Sequence, residues 1–181
     1  MSSTEITKDI ISFTAQRVIL TSSKPFKDVV AALDQELNKA GAGMEIVKLL
    51  HGAKSRQDLE EGVQNMSEGT RDFVYFSSGA HSKWLSAYFD DTRSFPETHY
   101  YILGNPLIAQ TILKHDIIAG LHIPPKILVQ EMEGGAGSRI IYELPSSVMA
   151  VGGSEVLKKA AEVLDVKLEN MARKVLSQTR L

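Results

Sequence analysis

The sequence contains no cysteine. Disulfide bonds, thiolate nucleophiles, iron–sulfur clusters and cysteine-based zinc sites are therefore excluded together. It also lacks any run of about 20 apolar residues, the length that a membrane-spanning helix requires. Residues 1–9 are polar and do not include the apolar stretch of a signal peptide. These absences predict a cytoplasmic protein with no membrane partner.

The sequence also has no large excess of positive or of negative charge. The 20 Lys and Arg residues stand against 22 Asp and Glu residues, which gives a net charge of −2. Nucleic-acid-binding proteins usually carry a basic excess or a basic stripe, so we expect no nucleic-acid partner. The 181 residues, of which 43% are hydrophobic, are typical of a single domain. We expect its ordered core to cover about residues 16–176, with a flexible tail over residues 1–12.

The hydrophobic pattern that is present indicates an α+β fold. Apolar residues at helical spacing predict a helix from Phe26 to Leu37 and a long helix after Ser154, whereas Met44–Leu50 fits a strand or a helical turn. Strands and helices do not alternate strictly, which favours a mostly antiparallel sheet with helices packed on one face and a long C-terminal helix. Runs rich in β-branched and aromatic residues predict strands at 17–22, 72–78, 98–103, 126–132 and 139–144.

Local signals mark two helix starts. Ser55 and Asp58 resemble a capping pair, which predicts a short helix after them. Asn105 is a strong N-cap residue, and Pro106 fits the first helical position. The segment around Asn105 therefore predicts a strand that passes directly into a helix.

Asp116 has two interpretations. If the helix after Pro106 ran on without a break, Asp116 would lie on its apolar face with His115 at the edge. A carboxylate in that position needs partners or a raised pKa, which is one route to a general acid or base. The alternative is that the helix ends near Lys114 and that Asp116 caps a new turn through Gly120.

Among the five histidines, His81 is the strongest candidate for proton transfer. It follows a strand that we expect to end at Gly79, and loops at the ends of strands often carry function. The alternative is an ordinary surface histidine. Two roles are open to Trp84, the only tryptophan: it lines a pocket or it fills the core. We expect His99 and His122 to face solvent.

Motifs for cofactors and metals are missing. The glycine-rich loop at 133–138 joins two predicted strands, so it indicates a hairpin and not a phosphate-binding loop. Neither a His-Glu-x-x-His pattern nor a Gly-x-Ser-x-Gly elbow is present. We therefore expect no cofactor and no metal ion.

Several short blocks occur in an order that resembles a known family. Together they are similar to the family called domain of unknown function 302, most of all to its fungal branch, over roughly residues 70–170. The resemblance implies a small α+β fold with helices against an antiparallel sheet, often as a homodimer. The blocks are Tyr-Ile-Leu-Gly-Asn-Pro-Leu-Ile-Ala (101–109), His115-Asp116, Ala119-Gly120-Leu121, Ile123-Pro124, Lys-Ile-Leu-Val-Gln-Glu (126–131), Ile-Tyr-Glu-Leu-Pro-Ser-Ser (141–147) and Ala-Ala-Glu-Val-Leu-Asp-Val-Lys-Leu (160–168).

The sequence departs from the family at one informative place. The strand before the Gly-Asn-Pro block usually runs into Asp-His in that family, and here it reads Ala80-His81. If the family's aspartate orients its histidine, His81 lacks that partner, and Asp116 is a candidate substitute.

These observations support three hypotheses. The first is a cofactor-independent acid–base enzyme (a lyase, isomerase or cyclase) acting on a small molecule. Its catalytic candidates are His81, His115 and Asp116, and its substrate-binding candidates are Trp84, Tyr101, Asn105, Lys126 and Tyr142. The second hypothesis is a non-catalytic module that binds a small apolar ligand. The third is a dimerisation module whose long C-terminal helix packs on a second chain, although its own domain could equally be the partner.

Overall fold

The computed structural model describes residues 4–177. The elements follow in the order β1 (Arg17–Ser22), α1 (Phe26–Glu36), α2 (Met44–Gly52), α3 (Arg56–Ser67), β2 (Val74–Ala80), α4 (His81–Tyr88), β3 (Thr98–Gly104), α5 (Pro106–Leu113), a 3₁₀ helix (Ile117–His122), β4 (Lys126–Glu131), a 3₁₀ turn (Glu133–Gly135), β5 (Ser138–Glu143), α6 (Pro145–Met149) and α7 (Glu155–Ser177).

The five strands form one sheet in the order β1-β5-β4-β3-β2. Every neighbouring pair is antiparallel. β2 to β5 follow one another in the chain as well as in the sheet, and β1 adds to the far side of β5. The prediction of an antiparallel sheet is confirmed.

The two longest of the sheet-covering helices, α1 and α7, lie on the same face of the sheet. Side chains of this face, among them Tyr101, Ile127 and Ile140, are fully buried in the main core. The predicted α+β fold, with helices on one face and a long C-terminal helix, is confirmed. The apolar side of α7 is buried in the core of its own chain, through Leu157, Ala161, Leu164, Leu168, Met171, Ala172, Val175 and Leu176. Its own domain is therefore the partner of this helix.

The opposite face of the sheet is less covered. Because side chains alternate along a strand, successive register partners on this face form a row across the sheet. Ile19, Ile141, Leu128 and Tyr100 are such partners, and Tyr100 pairs in turn with Gly79. We call these four side chains the apolar row. Ile19, at the end of the row on the edge strand β1, is 52% exposed.

α2 and α3 pack around the β2 edge of the sheet and enclose a smaller core of Ala42, Ile46, Val63, Met66 and Val74. The chain between α1 and α2 bonds directly to this edge. The amide of Tyr75 donates to the carbonyl of Leu37 (2.9 Å), and the amide of Gly43 donates to the carbonyl of Tyr75 (2.8 Å). A bulge between Tyr75 and Ser77 interrupts the β2–β3 register just beyond these bonds.

The predicted helix caps are confirmed. The Ser55 hydroxyl accepts from the amide of Asp58 (3.1 Å), and the Asn105 side chain accepts from the amide of Leu107 (2.9 Å). The ambiguous segment after Gly43 is a helix, α2.

One predicted boundary is wrong. β2 continues through Gly79 to Ala80, because both residues pair with β3. His81 consequently begins α4 and does not lie in a loop.

Within residues 4–177, no helix has the length and the apolar character needed to cross a membrane. The cytoplasmic location of the protein stays a prediction. Residues 4–16 form no regular secondary structure. The flexible tail expected over residues 1–12 also stays a prediction, and its first three residues lie outside the described range.

Candidate functional site

The most apolar cavity lies where α2 and α5 approach the β2–β3 end of the sheet. Its volume is about 840 Å³, which is within the usual range for small-molecule sites. Met44 and Leu50, which lie at its α2 side, are 66% and 44% exposed. Most of the remaining wall is also aliphatic or aromatic: Val47, Phe73, Phe76, Ile102, Ile108, Ala109, Leu113, Ile123, Pro124 and Pro125. We call this the apolar cavity.

Gly104 and Asn105 shape one side of the apolar cavity. A Cβ on Gly104 would lie 3.1 Å from the Cβ of Pro124 and 3.4 Å from the ring of Phe76, so the absence of a side chain lets both close in on the strand. The side-chain nitrogen of Asn105 donates to the carbonyl of Asp72 (3.0 Å), and its side-chain oxygen accepts from the amide of Leu107 in the helix cap. Both polar atoms of Asn105 are thus engaged within the protein.

A second cavity of about 710 Å³ lies on the less covered face of the sheet. Ile19, Leu128 and Ile141 of the apolar row form its floor, while the 3₁₀ helix and α6 form its sides. Lys126 and Tyr142, two of the predicted substrate-binding residues, are among its lining residues. We call this the sheet cavity.

His81 lies beside the aromatic end of the apolar row. Its ring is 5.1 Å from the ring of Tyr100, and its Nδ1 accepts a hydrogen bond from Nε1 of Trp84 (3.2 Å). A neutral imidazole that accepts at Nδ1 carries its proton on Nε2. His81 is therefore arranged to donate a hydrogen bond through Nε2, and its accepting nitrogen is already used by Trp84.

His115 and Asp116 lie elsewhere. The α5 helix ends at Leu113, and the Asp116 carboxylate accepts from the amide of Ile118 (2.9 Å) as the cap of the 3₁₀ helix. The capping alternative is confirmed, and the continuous helix is wrong. This segment leaves and rejoins the sheet at the Gly104 end of β3, whereas His81 lies near the other end. Seven residues of strand, about 20 Å, separate the two ends.

Tyr101 is fully buried, and its hydroxyl donates to Asp34 on α1 (2.7 Å). Lys39 bonds to both oxygens of the same carboxylate, at 3.1 and 3.0 Å. Burial raises the pKa of Tyr101, and the hydrogen bond to Asp34 adds to the effect. Among the described residues this tyrosine fixes α1 to β3, which is a structural role.

Tyr142 lies on the covered face, opposite to Ile141, as strand alternation predicts. Burial raises its pKa to about 12, and the nearby carboxylates of Glu169 and Asp165 contribute. Its buried hydroxyl has no hydrogen-bond partner within residues 4–177.

His99 is part of a polar cleft of about 730 Å³ between α1 and the start of β3. The side chain is 29% exposed and its ring packs edge-on against Phe26 at 5.0 Å, so it faces solvent only in part. Its Nε2 is 3.7 Å from Glu97, whose carboxylate also accepts from the Ser82 hydroxyl (3.1 Å). Glu131 lines the same cleft.

The predicted site residues are therefore only partly brought together. His81 contacts Trp84, and Lys126 lines the sheet cavity, whereas the side chain of Tyr142 lies on the covered face of the sheet. His115 and Asp116 line neither cavity, and they lie at the opposite end of β3 from His81. No group of three or more His, Asp and Glu side chains within residues 4–177 is placed to hold a metal ion. The apolar cavity could not be predicted from the sequence. The helical spacing of Ala109 and Leu113 is its signal, and that spacing equally indicates a buried helix face.

The burial of His99 has a consequence for stability. Burial lowers its pKa, with Glu97 and Asp34 opposing the shift and Lys39 reinforcing it. The unfolded chain has the ordinary pKa of about 6.5, so this contribution to stability is complete above that pH and is lost as the pH falls through the folded pKa. We expect His99→Gln to lose less stability than the wild type between about pH 7 and pH 5. Urea unfolding midpoints at several pH values measure this.

The exposed His51 on α2 provides the matched control, since His51→Gln makes the same chemical change away from the cleft. Parallel pH profiles for His99→Gln and the wild type would contradict the effect assigned to His99.

Comparisons with known proteins agree with this fold. No protein of curated function matches the chain. A crystal structure of an uncharacterized conserved protein DUF302 from Bacillus stearothermophilus has a similar fold, with a TM-score of 0.61 at 13% identity; the alignment covers 88% of this chain and 97% of that one. The fungal branch stays a prediction. Residues 50–175, well over half of the chain, match the family profile itself, and the protein therefore belongs to the family Domain of unknown function DUF302.

Proposed function

We propose that this protein binds a small apolar molecule in the apolar cavity. The observation that carries the proposal is a volume of about 840 Å³ whose walls are almost entirely aliphatic and aromatic. Transfer of apolar surface from water is favourable by roughly 25 cal/mol per Å², and a cavity of this kind offers that gain to a ligand. The exposed side chains of Met44 and Leu50 give the ligand an apolar point of entry.

The charged groups nearby do not compete with this interpretation. Lys114 is exposed at the rim, and the side-chain oxygen and nitrogen of Asn105 are bonded to the amide of Leu107 and the carbonyl of Asp72. An apolar ligand therefore does not have to desolvate an unpaired charge when it enters.

Ala109 lines the apolar cavity and has the smallest side chain among the α5 residues that do so. We expect Ala109→Trp to fill the cavity and to weaken binding of the uncharged fluorescent probe N-phenyl-1-naphthylamine at least tenfold. A fluorescence titration measures the affinity, and a thermal melt confirms that the variant folds.

Ala31→Trp makes the same substitution on the exposed side of α1 and is expected to bind the probe like the wild type. Equal affinities for Ala109→Trp and Ala31→Trp would sink the proposal, as would a wild type that does not bind the probe.

Catalysis remains a second hypothesis for the same fold, and the contacts of His81 define its form. With Nδ1 accepting from Trp84, neutral His81 is suited to donate a hydrogen bond to a substrate through Nε2. Loss of turnover in His81→Ala, with an unchanged melting temperature, is the expected result once a substrate is found by screening. Full turnover in that variant would remove His81 from the reaction.

The apolar row favours a second copy of this chain as the partner, which would form a homodimer. Five strands spaced by about 4.8 Å give a sheet face on the order of 400 Å², and a stable interface buries about 800 Å² per partner. Exposed apolar side chains at the rim of this face, Trp84, Tyr88 and Leu121, enlarge the area. A two-fold axis would bring the same row of each copy together, as in an isologous interface.

Sedimentation velocity tests this association. We expect a dimer for the wild type and a monomer for Ile19→Glu, because a buried unpaired carboxylate is costly. Val163→Glu on the outer side of α7 is the matched control, since Val163 is 55% exposed and Ile19 is 52% exposed. A monomeric wild type at about 100 μM would end this proposal.

A further inference from the structure

The apolar cavity and the sheet cavity adjoin each other. Ile102, Pro124 and Pro125 line both of them, so one continuous depression runs from α2 and α5 across the less covered face of the sheet. We call the joined space the trough. A ligand that occupies the apolar cavity can extend into the sheet cavity along this shared wall.

The two ends of the trough differ in charge. Around the apolar cavity the charged lining residue is Lys114 at the rim. The lining of the sheet cavity includes Arg17, Lys126 and Arg139 against the single carboxylate of Glu143. The trough is therefore apolar at one end and carries a positive excess at the other.

Two of the three cations at the charged end are available to a ligand. The third cation, Arg139, donates hydrogen bonds from Nε and Nη2 to the side-chain oxygen of Gln130. Within residues 4–177, neither Arg17 nor Lys126 forms a salt bridge or a side-chain hydrogen bond, and both side chains are exposed. Glu143 is the register partner of Arg17 on the strand between the two cations, so a ligand carboxylate would lie above the sheet, beside both cations and next to one opposing charge.

The spacing of the strands sets the length of the ligand. Ile102 on β3, where the two cavities meet, pairs with Lys126 on β4, and Arg17 lies two strands further on β1. Three strand spacings correspond to about 14 Å. A compact molecule cannot occupy the apolar cavity and also reach Arg17, whereas a flexible hydrocarbon chain can.

We propose that the ligand of the trough is a long-chain organic anion, with its hydrocarbon chain in the apolar cavity and its carboxylate beside Lys126 and Arg17. This inference rests on the proposed function and adds the chemical class of the ligand. Its two requirements are complementary: the apolar walls reject a charged head group, and the cations attract one.

Isothermal titration calorimetry with dodecanoate and dodecanol, both below their aggregation concentrations, separates the two requirements. The two probes have the same chain and differ in the charge of the head group. We expect dodecanoate to bind the wild type about tenfold more tightly than dodecanol, and acetate to show no binding. Ala109→Trp is expected to weaken both long-chain probes, because it fills the space for the chain.

The double variant Arg17→Gln/Lys126→Gln is expected to abolish the preference, so that dodecanoate binds it no more tightly than dodecanol does. Glu143→Gln removes the only carboxylate of the sheet cavity and is expected to strengthen dodecanoate binding two- to fivefold. Lys27→Gln, an exposed lysine of α1 that lines the polar cleft, is the control for the loss of a positive charge and is expected to keep the preference.

The outcomes distinguish the two levels of the proposal. Equal affinities of the wild type for dodecanoate and dodecanol, or a preference that survives in the double variant, would overturn the assignment of the anion while leaving apolar binding in place. If neither long-chain probe binds, the proposed function itself fails.

Discussion

The packing of α1 and α7 against a single face of the sheet is the constraint on which the remaining structure depends. These two helices bury Tyr101, Ile127 and Ile140 and supply a large part of the main core. The shorter elements α4, α6 and the 3₁₀ helix then border the other face without covering its centre. An antiparallel sheet tolerates one solvated face, but here that face carries the apolar row instead of alternating polar residues. A ligand or a second chain would remove this surface from water.

The two occupants proposed for this face share part of its surface. Ile19, Leu128 and Ile141 of the apolar row also form the floor of the sheet cavity, which is the charged end of the trough. A second copy packed on the row would cover this floor, whereas the apolar cavity beside α2 and α5 would stay free. Dimerisation and a head group in the sheet cavity would therefore compete for the same surface.

Features that depend on neighbouring residues could be predicted from the sequence, and features that depend on distant elements could not. Asn105 and Ser55 cap their helices through bonds to residues two and three positions away. His99, in contrast, is half-buried because Phe26 of α1 packs against its ring, a contact that spans more than 70 residues of chain. The apolar cavity likewise forms only where α2 meets α5. The sequence predicts that the strand before His81 ends at Gly79, because glycine disfavours strands, whereas Gly79 continues β2 beneath the ring of Tyr100.

The bonds that Leu37 and Gly43 make to Tyr75 have a further consequence at the edge of the sheet. An exposed edge strand presents unpaired amides and carbonyls that can template the addition of strands from other molecules. At β2 the amide and the carbonyl of Tyr75 are both occupied by the connection between α1 and α2, and the adjacent bulge breaks the regular spacing that an incoming strand would need. Strand addition is thereby hindered at the Tyr75 end of this edge.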